Sequence, residues 1–211
     1  MPTAKLKPLG IMILALLRER DMHPYEMIRL LRARRDERLI RIQHGTFYHQ
    51  VGALERDGLL APAAVEREGN RPERTSYTLL PAGEEAVLAW VRAELPRTDE
   101  PARFRVALAE AHNLPREEAL ALLALRVEAL RSLLAEHRDG LGTARERAVD
   151  RQFLIEVERA AALIEADIAW SEATISAFAD PELAWGVPSP AHIEAARHRD
   201  TEAAGLGKED A

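Results

Sequence analysis

The chain has 211 residues, of which 47% are hydrophobic and 30% charged, and it contains no cysteine. This length allows one large domain or two small ones with a real core, and the lack of cysteine excludes a disulfide framework and thiolate metal sites. The net charge of −6 is unevenly distributed: residues 1–80 hold 14 Lys and Arg against 10 Asp and Glu, whereas residues 81–211 hold 15 against 25. A basic amino-terminal part in an acidic protein indicates that this part binds a polyanion.

The amino-terminal segment MPTAKLKPLGIMILALL resembles a signal peptide only weakly. Its apolar run covers residues 9–17, and no small-residue cleavage site follows it. No segment approaches the roughly 18–20 apolar residues that a membrane span needs. We therefore expect a cytoplasmic protein that has no membrane partner.

Three helices are predicted at the start of the chain. Residues 9–20 are almost wholly apolar, which indicates a buried helix, and residues 23–34 form a second helix with Pro24 in its first turn. In the third, over residues 44–57, Phe47, Val51 and Leu54 form one apolar stripe, and Gly58 ends the helix.

The opposite face of this third helix has an unusual composition. It carries His49, Gly52, Ala53 and Arg56, where a solvent-exposed helix usually has Lys or Glu. The small residues either let the helix backbone approach a DNA groove closely or tolerate contact with another protein.

A β-hairpin is predicted next. Residues 60–68 and 75–80 form strands, and the turn GNRPER between them carries Arg71 and Arg74 against a single Glu73. A helix over residues 81–95 follows, with Pro81 at its start. The order helix, helix, helix, strand, strand, helix is that of the winged helix, in which the third helix enters the DNA major groove and the hairpin reaches the backbone or the minor groove.

The second part of the chain is predicted to be helical and to form a dimer. Helices are expected at 102–112, 115–139 and 143–179, with Gly140 and Gly142 ending the middle one. The last helix would span about 55 Å, and its regular apolar seam is typical of a coiled coil. The predicted dimer interface consists of Phe153, Val157, Ile164, Ile168 and Ile175.

These patterns divide the chain into three parts. Residues 1–95 are predicted to be a winged-helix DNA-binding domain and residues 100–180 a helical dimerisation domain, because two prolines interrupt residues 96–104. Residues 186–211, rich in Pro, Ala and charge, are predicted to be a mobile tail. The expected fold class is mainly α.

Three segments resemble one known family. HGTFYHQVGALERDGLL resembles the recognition helix of PadR-type transcriptional regulators, which reads G-[ST]-x-Y and then L-E-x-x-G-L-[IL]. HPYEM resembles the start of the family's second helix, and RPERTSYTLLPAG resembles its wing. The resemblance covers about residues 6–90, and the remainder is similar to the helical tail of the larger PadR subfamily. Leu80 stands where the family usually has Thr, which removes a hydroxyl N-cap worth about 1 kcal/mol.

The resemblance implies a function and a set of site residues. We expect a homodimeric transcriptional repressor that binds a palindromic double-stranded DNA operator and responds to a small aromatic or cationic effector. The expected DNA contacts are Tyr25, Thr46, Tyr48, His49, Gln50, Arg71 and Arg74. Trp90, Phe104, Trp170 and Trp185 are candidate walls of an effector pocket, or else ordinary core and interface aromatics.

Two of these contacts have an alternative structural role, and the whole chain has an alternative function. Tyr48 either donates its hydroxyl to a phosphate or packs on the helix flank beside Glu55, and Thr46 either caps its own helix or contacts the DNA backbone.

The main alternative function is a winged-helix adaptor that binds protein and does not read DNA. No metal-ligand spacing, Ser/His/Asp arrangement or Gly-rich phosphate loop is present, so we expect no enzyme, no metal site and no cofactor.

Overall fold

The structure is a computed structural model that describes residues 6–66 and 74–186. Its amino-terminal elements are α1 (Pro8–Glu19), α2 (Pro24–Ala33), a 3₁₀ turn (Asp36–Arg38), α3 (His44–Arg56), β1 (Leu60–Glu66), β2 (Arg74–Leu79) and α4 (Pro81–Glu94). They are followed by α5 (Pro101–Ala109), a 3₁₀ turn (Ala111–Asn113), α6 (Arg116–Glu146), a 3₁₀ turn (Arg151–Phe153) and α7 (Ile155–Phe178). The predicted fold class, a winged helix followed by further helices, is confirmed.

The first helix forms the centre of the winged helix. Nearly all of α1 is buried, because its sequence is apolar on every face and it packs against α3, α4, α5 and β2. Trp90 of α4 is also buried, and its indole N–H donates to the carbonyl of Leu6 at 3.1 Å. This bond fixes the segment before α1 to α4.

The wing is a two-stranded antiparallel sheet with an additional contact that the sequence did not predict. Leu60 lies opposite Leu79 and Glu66 opposite Arg74, with an irregularity between Pro62 and Ala64. Met22, just before α2, exchanges both backbone hydrogen bonds with Tyr77 at 3.1 and 3.0 Å. This single-residue bridge connects the base of the wing to the start of α2.

Two helix ends agree with the predicted capping. Gly58 has φ of +69° after α3, and the N–H of Leu59 donates to the carbonyl of Leu54 at 2.9 Å, as in a Schellman motif. Leu80 is the N-cap of α4 and makes no side-chain cap, so Pro81 in the first turn is the main start signal of this helix.

The predicted boundary between the last two long helices was wrong. The middle helix continues through Gly140 and Gly142 to Glu146, and α7 starts at Ile155 rather than at 143. A glycine inside a helix costs only about 1 kcal/mol, which packing of α6 against α7 offsets. The stop lies at Ala148, which has φ of +55° and a Schellman bond from Val149 to Ala144. With 24 residues, α7 spans about 36 Å rather than 55 Å.

One apolar cluster extends from the winged helix into the second part of the chain. It contains residues of α1–α4, and also Phe104 and Val106 of α5 and Leu123 of α6. The domain boundary at 96–100 therefore stays a prediction. Most of the predicted tail, residues 187–211, lies outside the described residues.

Candidate nucleic-acid interface

The third helix presents two different faces, as its sequence predicts. Phe47, Val51 and Leu54 are buried in the core, because they recur at the spacing of one helix face and pack toward α1 and α2. The opposite face is open to solvent, so it is available for a partner.

The exposed face of α3 carries several of the predicted contact residues. Thr46 and His49 are exposed, and 45% of Tyr48 is accessible. A Cβ atom placed on Gly45 or Gly52 would meet nothing within 4 Å in the protein. Internal packing therefore does not require glycine at either position.

Gln50 lies away from this exposed face. It is half-buried, and a Cβ atom placed on Gly10 of α1 would lie 3.2 Å from its side-chain nitrogen. Gln50 thus packs on α1, in agreement with its predicted place near the apolar stripe, and its proposed base contact stays a prediction.

The start of α2 is held by an imidazole cap. The backbone N–H of Tyr25 donates to Nδ1 of His23 at 3.1 Å, so the histidine acts as the N-cap. The Tyr25 side chain is exposed beside this cap. The cap fixes the backbone from which Tyr25 projects.

The base of the wing is tied to α3 by a side-chain contact. The hydroxyl of Tyr77 donates to Glu55 at 3.5 Å, and burial, with a further contribution from Glu55, raises the pKa of Tyr77. Of the two predicted wing contacts, Arg71 lies outside the described residues, and Arg74 is the first residue of β2.

A row of arginines escaped the sequence analysis. Arginines occur at every third residue from the second half of α2 to the segment before α3, and all five are exposed. They are Arg29, Arg32, Arg35, Arg38 and Arg41. Their regular spacing in the sequence was the signal that could have identified this basic surface next to α3.

Comparison with known families identifies the amino-terminal domain. Residues 13–89 match the model of the transcriptional regulator PadR-like family. The chain contains a PadR-like domain. The matched residues run from α1 to α4 and include the whole described part of the wing.

Several solved structures resemble the chain carrying this PadR-like domain. Bacillus subtilis PadR in complex with operator DNA is 16% identical, with a TM-score of 0.40 over 82% of this chain and 99% of that one. The protein smu.1604c from Streptococcus mutans is 16% identical, with a TM-score of 0.38 over 81% and 96%. The PadR-like regulator BC1756 from Bacillus cereus is 13% identical, with a TM-score of 0.36 over 83% and 100%. Comparison with curated protein sequences finds no match.

The last helix also has two distinct faces. Four of its acidic residues pair with arginines of α6, including Asp167 with Arg126 at 2.6 Å and Glu165 with Arg138 at 2.8 Å. The predicted interface residues Val157, Ile164, Ile168 and Ile175 lie half-buried around this α6-facing side, whereas Phe153 is 70% exposed.

The opposite face of α7 is apolar and exposed. Ile155, Leu163 and Trp170 are 59%, 52% and 44% accessible, and the exposed Ala162 and Ala166 lie between them, together with the exposed Arg159. We call this the outer face of α7. An exposed stripe of this kind marks a surface for another protein.

The predicted effector walls are not gathered around one pocket. Trp90 lines a cavity of about 400 Å³ between α4 and α5, together with Ala89, Ala93, Glu94, Arg97, Glu100 and Arg103. Neither Phe104 nor Trp170 lines it, and Trp185 packs edge-on against Phe178 with its N–H bonded to the carbonyl of Leu114. Of these four candidates, Trp90 therefore combines a core position with access to this cavity.

A buried carboxylate, Glu94, and a half-buried guanidinium, Arg103, form an ion pair in this region. Glu94 is 4% exposed; its Oε1 accepts from Arg103 at 2.6 Å, and its Oε2 accepts no hydrogen bond but forms an ion pair with Nε of Arg97 at 3.8 Å. Arg103 also lies over the Trp90 ring at 5.3 Å. The sequence contained a signal for Glu94, because it falls on the buried stripe of α4 where an apolar residue is expected.

Residues 6–66 and 74–186 contain no group of three His, Asp or Glu side chains placed to hold a metal ion. Within the same residues, no helix is long and apolar enough to cross a membrane.

Proposed function

We propose that this protein is a homodimeric, sequence-specific DNA-binding repressor whose binding is changed by a small effector. The α3 face of each subunit enters the major groove of one half-site of a palindrome, and the wing contacts the flanking backbone. Occupation of a promoter by both subunits blocks polymerase.

The outward face of α3 is the observation that carries this proposal. His49 and Thr46 project from a face on which Gly45 and Gly52 meet nothing in the protein. Such a thin, polar face fits a groove about 12 Å wide, where the backbone of the helix approaches the bases. The exposed arginines from Arg29 of α2 to Arg41 before α3 add positive charge for phosphates.

The dimer contact of the proposal uses the outer face of α7. Phe153 and the three large residues of that face, Ile155, Leu163 and Trp170, form an apolar surface that a second copy of the same helix covers in a symmetric pair. Because about half of each side chain is already covered, burying the remainder stabilises the pair by roughly 1 kcal/mol each.

The cavity beside Trp90 is the proposed effector site. A ligand N–H or O–H group that enters the cavity competes for the Oε2 of Glu94 with Arg97, whose Nε lies 3.8 Å away, and Trp90 and the two alanines provide an apolar wall. An aromatic or cationic molecule with such a donor matches this lining.

Two substitutions on α3 separate base reading from phosphate binding. Random-sequence duplexes are selected with the wild-type protein, and the enriched site and a scrambled duplex are then used for both variants. His49→Ala should lose roughly 1–3 kcal/mol on the enriched site alone, whereas Tyr48→Phe should lose roughly 1 kcal/mol on both duplexes.

The same selection distinguishes the adaptor alternative. A protein-binding adaptor would enrich no sequence, and its weak DNA binding would not respond to either substitution. If Tyr48→Phe changed the preferred sequence and His49→Ala did not, the roles of the two residues would have to be exchanged.

A further inference from the structure

Arg126 is a buried cation at the junction of four structural elements. It belongs to α6 and occupies a position of that helix's apolar stripe, between Leu123 and Leu130, yet only 3% of it is exposed. A guanidinium is expensive to bury unless it is paired and hydrogen-bonded. Its contacts therefore show what the residue holds together.

The contacts of Arg126 join the α6–α7 pair to α5 and to the connection between α4 and α5, and α5 in turn packs against α1 and α4 of the PadR-like domain. One terminal nitrogen donates to the carbonyl of Arg97, in the connection between α4 and α5. The guanidinium lies 3.6 Å from the ring centre of Phe104 in α5. The other terminal nitrogen donates to Asp167 of α7 at 2.6 Å.

Each contact uses a different property of the side chain. The stacking on Phe104 needs a flat cation, and the bonds to a carbonyl and a carboxylate need donors that diverge from one rigid plane. A lysine offers a single nitrogen and cannot satisfy both bonds while stacking. Arg126 therefore fixes the orientation of α6 and α7 relative to α5, in addition to holding these helices together.

We infer that Arg126 is the positioning residue that sets the angle between the PadR-like domain and the α6–α7 pair. In the proposed dimer this angle determines the distance between the two α3 helices, and so the half-site spacing that the protein accepts. The effect on DNA binding rests on the proposed function. The effect on the angle rests only on the contacts of Arg126.

The effector cavity shares two neighbours with this contact. Arg97 contributes its side chain to the cavity and its carbonyl to Arg126, and Arg103 of the cavity precedes Phe104 in α5. A ligand that moves Arg97 or Arg103 therefore shifts the surface on which Arg126 rests. Occupancy of the cavity is thereby linked to half-site spacing.

The test compares Arg126→Lys and Arg126→Met with a matched control on the same helix. Arg131→Met removes an exposed ion pair between α6 and Glu172 of α7, and it touches neither Arg97 nor Phe104. The first readout is the spacing between half-sites in duplexes enriched from a random library. The second is the affinity for one isolated half-site.

We expect both Arg126 variants to enrich the wild-type half-site with a broader range of spacings. Their affinity for the wild-type paired site should fall at least about tenfold, because linked binding depends on geometry, while half-site affinity stays unchanged. Arg131→Met should behave as wild type. Unchanged spacing in the Arg126 variants, or an equal loss on the isolated half-site, would overturn the inference.

A distance measurement tests the angle without DNA. The chain contains no cysteine, so cysteines introduced at the exposed Ala82 of α4 and Ala135 of α6 can each carry one spin label. An excess of unlabelled protein ensures that the measured distance lies within one subunit. The distance distribution should broaden in the Arg126 variants and stay narrow in Arg131→Met. A wild-type protein that enriches no paired site would reject the proposed function, whereas an unchanged distribution in the Arg126 variants would reject this inference.

Discussion

Replacing Gly52 with alanine separates the needs of the fold from those of DNA binding. In the free protein the new Cβ meets nothing within 4 Å, and Gly52 lies inside α3. Alanine is favoured over glycine in a helix by about 1 kcal/mol, so the melting temperature should rise by about 2–4 °C. The substitution should therefore stabilise the unbound protein.

DNA binding should respond in the opposite direction. If the α3 backbone packs closely in the groove at Gly52, an added methyl overfills that contact and costs roughly 1–3 kcal/mol per half-site, or about 5- to 150-fold. Fluorescence anisotropy with the enriched duplex measures the loss, and thermal denaturation measures the stability. Gly142→Ala on α6 is the control, because a Cβ at Gly142 also meets nothing within 4 Å. It should raise the melting temperature and leave DNA binding unchanged. A Gly52→Ala protein that is more stable and binds as tightly as wild type would refute the close approach.

Three further predictions concern stability and assembly. Gly83→Ala should lower the free energy of unfolding by roughly 1–3 kcal/mol, measured in urea, because its Cβ would lie 2.1 Å from the carbonyl oxygen of Leu59; a wild-type midpoint would contradict this. Burial raises the pKa of Glu110 from 4.5 to about 7, so the folded state binds the proton more tightly and stability should fall as pH rises through that range. Glu110→Gln should abolish this fall and add up to about 3 kcal/mol at pH 8, and an unchanged pH dependence in urea titrations would exclude this origin. Trp170→Glu should shift sedimentation from dimer toward monomer, whereas a dimer as tight as wild type would place the interface elsewhere.

The winged helix was predictable because its signals are local. The stripe of Phe47, Val51 and Leu54 and the glycine at 58 each act within a few residues, and the structure agrees with both. The end of α6 was missed because its left-handed residue is Ala148, where a glycine is usual, while Gly140 and Gly142 are tolerated inside the helix.

The candidate sites were less predictable because they depend on contacts between distant residues. Periodicity finds an apolar seam on α7, but it cannot tell which side α6 covers, so the exposed outer face emerged only from the structure. Likewise Arg126 and Glu94 stand out in the sequence only as charges on apolar stripes. Their partners at Arg97, Phe104 and Arg103 are set by how the helices cross.

The most direct test of the proposed function is a hydroxyl-radical footprint of the protein on the DNA upstream of its own coding region. We predict two protected half-sites related by a palindrome, one for each α3 helix, with protection that weakens steeply as salt increases. Replacing the wing arginines Arg71 and Arg74 with alanine should weaken protection at every sequence and flatten the salt dependence. No protected palindrome, or equal protection along the whole fragment, would contradict sequence-specific DNA binding by this protein.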